Sequence, residues 1–182
     1  MLPVTIRTAI FRSLPRTLTL GTETLDVHLE YADRVNVTTA LQEHDIVVTL
    51  RYFADRPDVA ATPANRLFRR EVVGDDVRYT RGERAQVTLS IQVHAADTPA
   101  RPGDDLVDAY LAALQVWYLR DLPAIVEVVG RSEIPAIFTL DDHCRRGMDV
   151  FLRYPITYDE TVPSIETIEH DVAVERDAED TP

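Results

Sequence analysis

Apolar and polar residues alternate along several segments of the chain, a pattern typical of strands with one buried side. In residues 87–95, valine, leucine, isoleucine and alanine at the odd positions alternate with polar residues at the even positions. Residues 25–31 alternate in the same way, and residues 46–53 are rich in β-branched and aromatic side chains. These segments predict an antiparallel sheet that is covered on one side.

Weaker signals predict more strands. Residues 68–73 and 77–79 flank Gly74-Asp75-Asp76, which predicts a hairpin turn. Three further strands are predicted at residues 124–129, 150–158 and 172–174. Pro155 has no N–H to donate, so it predicts an edge position or a bulge within the long strand.

Helical spacing marks two segments. The apolar residues at positions 6, 9, 10 and 14 predict a short N-terminal helix that ends before Pro15. A major amphipathic helix is predicted at about residues 104–120, where Asp104 or Asp105 is placed to cap its first N–H groups. Its apolar stripe runs to Trp117, a predicted core residue, whereas Tyr118 is predicted at a rim or an interface.

The order of elements predicts a single α+β domain over residues 1–175, with a mainly antiparallel sheet and both helices packed on one face. Residues 176–182 are acidic and are expected to be frayed. Two long loops, residues 54–65 and 96–105, contain two prolines each, and loops of this length are usually functional or mobile.

The composition indicates adaptation to concentrated salt. The chain has no lysine, 19 arginines and 31 acidic residues, of which 19 are aspartate, so its net charge is −12. Self-repulsion of this size weakens the compact state in dilute buffer, but the Debye length falls to about 3 Å at 1 M salt. A GC-rich genome would explain arginine in place of lysine but not the excess of acid, and hyperthermophily would enrich lysine. We therefore expect a halophilic source.

Several classes of protein are disfavoured. Cys144 is the sole cysteine, so no intrachain disulfide is possible. Arginines interrupt the apolar residues at the N-terminus, unlike a signal peptide, and no apolar run approaches the ~20 residues of a membrane span. We expect a soluble chain, made in the cytoplasm, with no membrane partner.

One sequence run gathers possible metal ligands, Asp141-Asp142-His143-Cys144. A zinc site needs a second, distant pair of ligands, and adjacent residues on an extended segment point in opposite directions. The run is better interpreted as a solvated acidic turn or a helix start before Arg145-Arg146-Gly147. No metal and no cofactor is predicted.

No catalytic motif is present. His143 and Cys144 are sequence neighbours, which seldom places a base within reach of its nucleophile. Ser13, Ser90, Ser132 and Ser164 lack a Gly-x-Ser-x-Gly context, no GxGxxG occurs, and the absence of lysine rules out a P-loop. The prediction is that the protein is not an enzyme. A pocket combining His28, His94 or His170 with a carboxylate would instead favour a small halophilic binding module or enzyme.

Arg66, Arg69 and Arg70 form the one compact basic cluster of the sequence. They are candidates for contact with phosphate or, more in keeping with an acidic protein, for bidentate pairing with carboxylates of a neighbouring subunit. A net charge of −12 disfavours a dedicated or sequence-specific nucleic-acid binder.

The order of elements resembles a known family. A short N-terminal helix, strands, the alternating strand at 87–95, a loop, the helix at 104–120 and closing strands are similar to the neck and tail-terminator (tail-completion) ring proteins of tailed viruses. The resemblance covers about residues 1–175 in the order of elements and includes no diagnostic motif. The segment 124–146 is longer than the family pattern.

The resemblance implies a virion structural protein without catalytic residues. Such proteins assemble as rings, often hexamers, which join the tail tube to the connector or adaptor below the portal. The two proline-containing loops would then contact neighbouring subunits or the tail tube, and a negatively charged lumen would let viral DNA slide. Closed rings use heterologous contacts. With the halophilic composition, the source would be a virus of a halophilic archaeon.

Other roles in the same particle stay open, namely head–tail adaptor, tail-tube subunit or baseplate component. Adaptors tend to be helical, whereas this chain is strand-rich. Tube subunits commonly have a long hairpin that builds the tube wall, and the loops of this sequence lack the strand alternation for one.

Overall fold

The computed structural model describes residues 2–53, 56–57, 66–99, 101–124, 126–134 and 143–163. The chain is a mixed α+β protein, mostly strand, with three helices. In chain order the elements are α1 (Val4–Ser13), β1 (Thr17–Leu20), β2 (Glu23–Tyr31), α2 (Val37–Ala40), β3 (Ile46–Tyr52), β4 (Arg56–Pro57), β5 (Arg66–Val73), β6 (Asp76–Ala96), α3 (Gly103–Arg120), β7 (Glu127–Ile134) and β8 (His143–Pro163).

All eight strands belong to one sheet that curls into a half-barrel. Its main order is β1-β2-β3-β6-β8-β7, and β3, β4 and β5 follow one another along one edge of β6. Every pairing is antiparallel except that of β2 with β3, which is parallel. The sheet is therefore mainly antiparallel, as predicted, with one parallel pair.

The strand register explains where the core lies. Paired residues have side chains on the same side of a sheet, so each buried row crosses several strands. One row contains Leu29, Val48 and Val93, and another contains Leu50, Ile91 and Met148. These side chains are all at most 5 % exposed. We call this the core side of the sheet; it includes the odd positions of β6 and the even positions of β8.

Helices α1 and α3 cover the core side. Ile6 and Ile10 of α1 lie in the same apolar cluster as the buried residues of α3, which are Leu106, Val107, Tyr110, Leu114 and Trp117. Trp117 Nε1 donates a hydrogen bond to Ser13 Oγ, which joins α3 to α1. Tyr110 Oη donates to the carbonyl of Pro15 in the segment that follows α1. Trp117 is a core residue, as predicted.

Two details of α3 differ from the prediction. Val116 and Leu119 are exposed, so its apolar residues are not confined to the buried stripe and a strictly amphipathic helix is not confirmed. The helix begins at Gly103, and the N–H of Gly103 donates to Asp97 Oδ1. Asp104 and Asp105 lie in the first turn, where their charges suit the helix dipole, but neither is the cap.

The strands after residue 66 are longer than predicted. The hairpin turn is present, with Gly74 in the left-handed region at a φ of 63°. Residues 77–79 and 87–95 are both strand, as predicted, but they belong to one strand, because β6 runs without a break over 21 residues. Strand β8 also has 21 residues, and the two pair along their whole length, about 70 Å.

Some predictions fall on residues outside the described ranges. These are most of loop 54–65, residue 125 of the strand at 124–129, the strand at 172–174, and the tail at 176–182. Pro155 lies where β8 becomes an edge strand, because β7 reaches only to the pair Glu127–Arg153. Its predicted edge position is confirmed.

Candidate functional site

A three-stranded ribbon projects beyond the helices and carries the candidate site. It consists of β5, residues 76–84 of β6 and residues 155–163 of β8, and we call it the arm. Of the arm side chains that the structure describes, Val77 is buried, whereas those of β5 and of residues 155–162 are half-buried or exposed. Its strands have eight or nine residues and are about 27–30 Å long. The arm thus has little core of its own.

The arm continues the core side of the sheet without the cover that α3 provides elsewhere. Val72 and Val162 flank Val77 in one row, and Leu67 and Tyr158 flank Arg81 in another. Val72 is 65 % exposed and Tyr158 is 53 % exposed. The large exposed apolar side chains on this side of the arm are Leu67, Val72, Ile156, Tyr158 and Val162. A strip of apolar surface this long is typical of an interaction site.

The two edges of the arm carry opposite charges. Among the described strands, β5 and residues 155–163 of β8 each pair only with β6, so both edges are open. The row through Tyr79 has Arg70 at the β5 edge and Glu160 at the β8 edge. The row through Thr80 has Arg69 and Asp159 at the same two edges. One edge is therefore complementary in charge to the other edge of a second copy.

The arm contains all three arginines of the predicted cluster, but it does not bring them together. Arg70 lies on the core side, whereas Arg66 and Arg69 lie on the opposite side because a bulge separates Leu67 from Arg69. Arg69 Nη2 is 3.2 Å from Glu71 Oε1 in an exposed ion pair. The three guanidinium groups therefore cannot hold one phosphate together. They lie as separate positive charges along the β5 edge of the arm.

His143 and Cys144 begin β8, whereas Asp141 and Asp142 lie outside the described residues. Burial, followed by the nearby carboxylates of Asp104 and Asp97, raises the pKa of the Cys144 thiol. A raised pKa lowers the fraction of thiolate, which is the nucleophilic form. Among the described residues, no group of three or more His, Cys, Asp or Glu side chains is placed to hold a metal ion.

Two of the three predicted histidines, His28 and His94, lie in one row, but no pocket that the described residues form brings them together. The row crosses the sheet through His28, Val47 and His94, on the side opposite the core. Val47 is fully buried between the two imidazoles. His28 stacks on His44, whose Nδ1 lies 2.9 Å from Asp26 Oδ2, and His94 lies next to His143. His170 is outside the described residues.

The remaining predicted residues have structural surroundings. Ser13 donates to the carbonyl of Ile10, Ser90 is buried, Ser132 is exposed, and Ser164 lies outside the described ranges. Tyr118 is half-buried beside the guanidinium of Arg131. In the loop predicted at 96–105, Arg101 pairs with Glu23 and Asp45, which fixes that loop to the body of the protein.

Sequence reasoning missed the arm as a unit. The signal that could have found it is the two-residue turn Gly74-Asp75, flanked on both sides by alternating valines, arginines and glutamates. Residues 80–84, Thr-Arg-Gly-Glu-Arg, have no apolar side chain on either side of the strand, so no buried side is visible in the sequence.

Comparison with known proteins does not identify a relative: no protein-family model matches the chain, and no curated protein is similar to it in sequence. Within the described residues, the helices are too short or too polar for any of them to cross a membrane.

Proposed function

We propose that the protein is a virion structural subunit, a neck or tail-terminator protein that assembles head-to-tail into a closed ring in a tailed virus of a halophilic archaeon. The observation that carries the proposal is the arm, whose uncovered core side has five large exposed apolar side chains. An isolated ribbon has marginal stability in water. Contact with a second copy would remove this surface from water.

The edge charges support a head-to-tail contact over a symmetric one. A symmetric pair of equal edges would bring like-charged edges together, because β5 has three arginines and one acid, whereas residues 155–163 have two acids and no basic residue. Like charges across a strand pairing are destabilising. In a head-to-tail contact, the β5 edge of one copy meets the β8 edge of the next, and Arg70 faces Glu160. Repetition of such a heterologous contact closes a ring when the rotation permits.

The rest of the fold suits this role. In the proposal, α3 is the amphipathic cover of the body, and its exposed Val116 and Leu119 supply a second contact surface. The partners would be copies of the chain, the tail-tube protein, and the connector or portal proteins. The acidic surface would keep the ring soluble in molar salt and let DNA pass without binding it. Such a subunit needs no catalytic residue, metal or cofactor.

A tail-tube subunit of the same kind of virus is the second candidate. The specific observation in its favour is the long hairpin of β5 and β6, extended by β8, because a long hairpin is what tube subunits use to build the tube wall. A ring protein that stops at one layer and a tube protein that stacks into many layers differ in assembly size. The distribution of particle lengths in high salt therefore separates the two candidates.

The experiment that tests the head-to-tail contact is a charge exchange at the arm edges, with particle mass measured by light scattering in molar NaCl. Arg70→Glu places two acids in contact and is expected to weaken association at least tenfold, because like charges across an interface cost several kcal/mol. Arg70→Glu combined with Glu160→Arg restores opposite charges across the contact. It is expected to recover part of the assembly, because Glu160→Arg also breaks the ion pair of Glu160 with Arg81 within the chain.

The matched control is Arg12→Glu, which makes the same charge change at an exposed position on α1, away from the arm. It is expected to leave the mass unchanged. Equal loss of assembly in the single and the double arm variants would contradict the head-to-tail contact.

A further inference from the structure

A cleft of about 670 Å³ lies on the body of the protein, between α1 and the ends of β2 and β3. On the helix side it is lined by Val4, Arg7 and Thr8, which share one face of α1 because they are three or four residues apart. On the sheet side its lining includes Tyr31 and Tyr52. We call it the Arg7 cleft.

Both tyrosines lie on the core side of the sheet, the side that α1 covers. The register pairs Tyr31 with Leu50, and Tyr52 is two residues further along β3, so the two rings point the same way. Arg51 lies between Leu50 and Tyr52, and its side chain therefore points to the opposite side of the sheet. Its guanidinium lies there, 5.6 Å from the ring centre of Phe53. Arg51 thus contributes no charge to the core-side chemistry of the cleft.

Two arginines line the cleft on the core side without a carboxylate partner among the described residues, Arg7 on α1 and Arg34 in the turn after β2. The guanidinium of Arg34 lies 5.4 Å from the ring centre of Tyr31, which holds it in place and leaves its N–H groups available. Arg7 is half-buried. Most other half-buried arginines pair with a carboxylate, namely Arg81, Arg84, Arg101, Arg146 and Arg153.

Two buried donor atoms of cleft residues have no acceptor among the described residues, Arg7 Nε and Tyr52 Oη. Burial raises the pKa of Tyr52, so its hydroxyl keeps its proton and can donate, although the charge of Arg7 acts in the opposite direction. A buried donor without an acceptor destabilises the folded state, and an accepting ligand would recover that loss. The cleft therefore offers donors to an anion.

The aromatic side chains support these donors. The ring of Tyr31 stacks on Phe11 with the ring centres 5.4 Å apart, and Arg34 packs against the same ring. Recognition of a ligand would therefore depend on the donors and not on aromatic stacking. Asp33 is the one acidic residue in the described lining, and it is exposed. With two arginines, the cleft has a net positive charge on a chain whose net charge is −12.

We propose that the Arg7 cleft binds a phosphate group, held by the guanidinium groups of Arg7 and Arg34 and by the hydroxyl of Tyr52. Guanidinium groups bind phosphate through paired N–H···O bonds, and the oxygens of one phosphate accept from several donors at once. A carboxylate has only two oxygens for these three groups. Because Arg7 Nε and Tyr52 Oη are buried, binding includes a rotation of these side chains toward the ion. The inference goes beyond the proposed function and does not rest on it, because it concerns the body and not the arm.

The test titrates inorganic phosphate with the full chain in molar NaCl, at a pH above the second pKa of phosphate, and measures the phosphorus NMR line width. We expect saturable broadening with one site per chain. Arg7→Gln combined with Arg34→Gln is expected to lower the affinity at least tenfold, because each guanidinium forms charge-assisted hydrogen bonds. The matched control, Arg12→Gln combined with Arg120→Gln, removes the same charge at exposed positions on α1 and α3 and is expected to leave the affinity unchanged.

Two single variants protect the test against misfolding of the double variant. Tyr52→Phe removes only the hydroxyl and is expected to lower the affinity several-fold. Without phosphate it should unfold at the same temperature as the wild type or at a higher one, because it removes a buried donor that has no acceptor. A lower unfolding temperature, with unchanged phosphate affinity, would assign the hydroxyl a structural role and contradict the proposal. Asp33→Asn removes the acidic group of the lining and is expected to raise the affinity.

Glycerol 1-phosphate distinguishes the two sources of a phosphate group. Tighter binding of this ester than of inorganic phosphate would indicate the phosphate of a larger ligand, and weaker binding would indicate the free ion; either result supports the site. Acetate is the competing oxyanion, and binding of acetate as tight as that of phosphate would overturn the assigned ligand. The proposal also fails if phosphate binding does not saturate, or if the double variant binds phosphate as tightly as its control.

Discussion

Val72 and Val73 are neighbours on β5 and are both exposed, by 65 % and 45 %, but they lie on opposite sides of the arm. Val72 shares its row with Val77 on the core side of the sheet, and Val73 is paired with Asp76 on the other side. Substituting each valine in turn therefore distinguishes the loss of a contact on the core side from the general effect of removing an exposed apolar side chain.

We predict that Val72→Ser weakens self-association, whereas Val73→Ser does not. Burying a valine side chain contributes about 1.5–3 kcal/mol, so the association constant of the Val72 variant should fall at least tenfold. Sedimentation velocity in molar NaCl over a range of protein concentrations measures it. Similar behaviour of the two variants would mean that the core side of the arm is not the contact.

The hydrogen bond from Trp117 Nε1 to Ser13 Oγ, 2.9 Å long, joins α3 to α1. Ser13→Ala removes the acceptor and leaves a buried indole N–H without a partner, because Trp117 is only 1 % exposed. We expect the free energy of unfolding to fall by about 1–3 kcal/mol in urea titrations. Ser132→Ala, at an exposed position, should change it by less than about 0.5 kcal/mol. Equal effects would show that this bond does not stabilise the helix pair.

Burial lowers the pKa of His94 to about 4, and the neighbouring His143 and Arg145 also disfavour its protonated form. An imidazole in the unfolded chain has a pKa of about 6.5. Between these values the unfolded state binds more protons, so the free energy of unfolding falls as the pH is lowered through this window.

His94→Gln removes that dependence, and the wild type should lose on the order of 3 kcal/mol more than the variant between about pH 7 and pH 4. Urea titrations at several pH values measure the difference. Parallel pH profiles for wild type and His94→Gln would refute the assignment.

The halophilic interpretation predicts that salt stabilises the fold. With a net charge of −12 and no lysine, repulsion is strongest in dilute buffer and is screened as NaCl rises from about 0.05 M to several molar. The free energy of unfolding in urea should therefore increase by several kcal/mol over that range. Codon bias alone predicts little change, so a flat salt profile would reject adaptation to brine.

The body of the fold was largely predictable from the sequence because β2 and the second half of β6 alternate between buried and more exposed positions, whereas β3 is buried on both sides and was predicted from its β-branched and aromatic residues. The strands predicted at 25–31 and 46–53 correspond to β2 and β3, and the segment 87–95 lies within β6. The helix predicted at 104–120 begins one residue earlier, at Gly103. The parallel pairing of β2 with β3 was not predictable, since it depends on contacts that no local pattern encodes.

The arm could not be predicted as a unit, because it lacks the buried side that shows as a pattern in the sequence. Residues 80–84 are polar on both sides, and cross-strand pairing with β5 and β8, not burial of their own side chains, keeps them extended. The arginine cluster was found from the sequence, but the bulge between Leu67 and Arg69 divides it between the two sides of the arm. The cleft lined by Arg7, Arg34 and Tyr52 was missed because these residues come from three segments that are distant in the sequence.

The most direct test of the central claim, that the arm joins copies of the chain into a closed ring, is negative-stain imaging of the purified protein in molar NaCl. The account predicts closed rings with one copy number, which are lost in Val72→Ser and retained in Val73→Ser. Single ~20 kDa particles at every protein concentration, with the tail-tube protein present or absent, would contradict it.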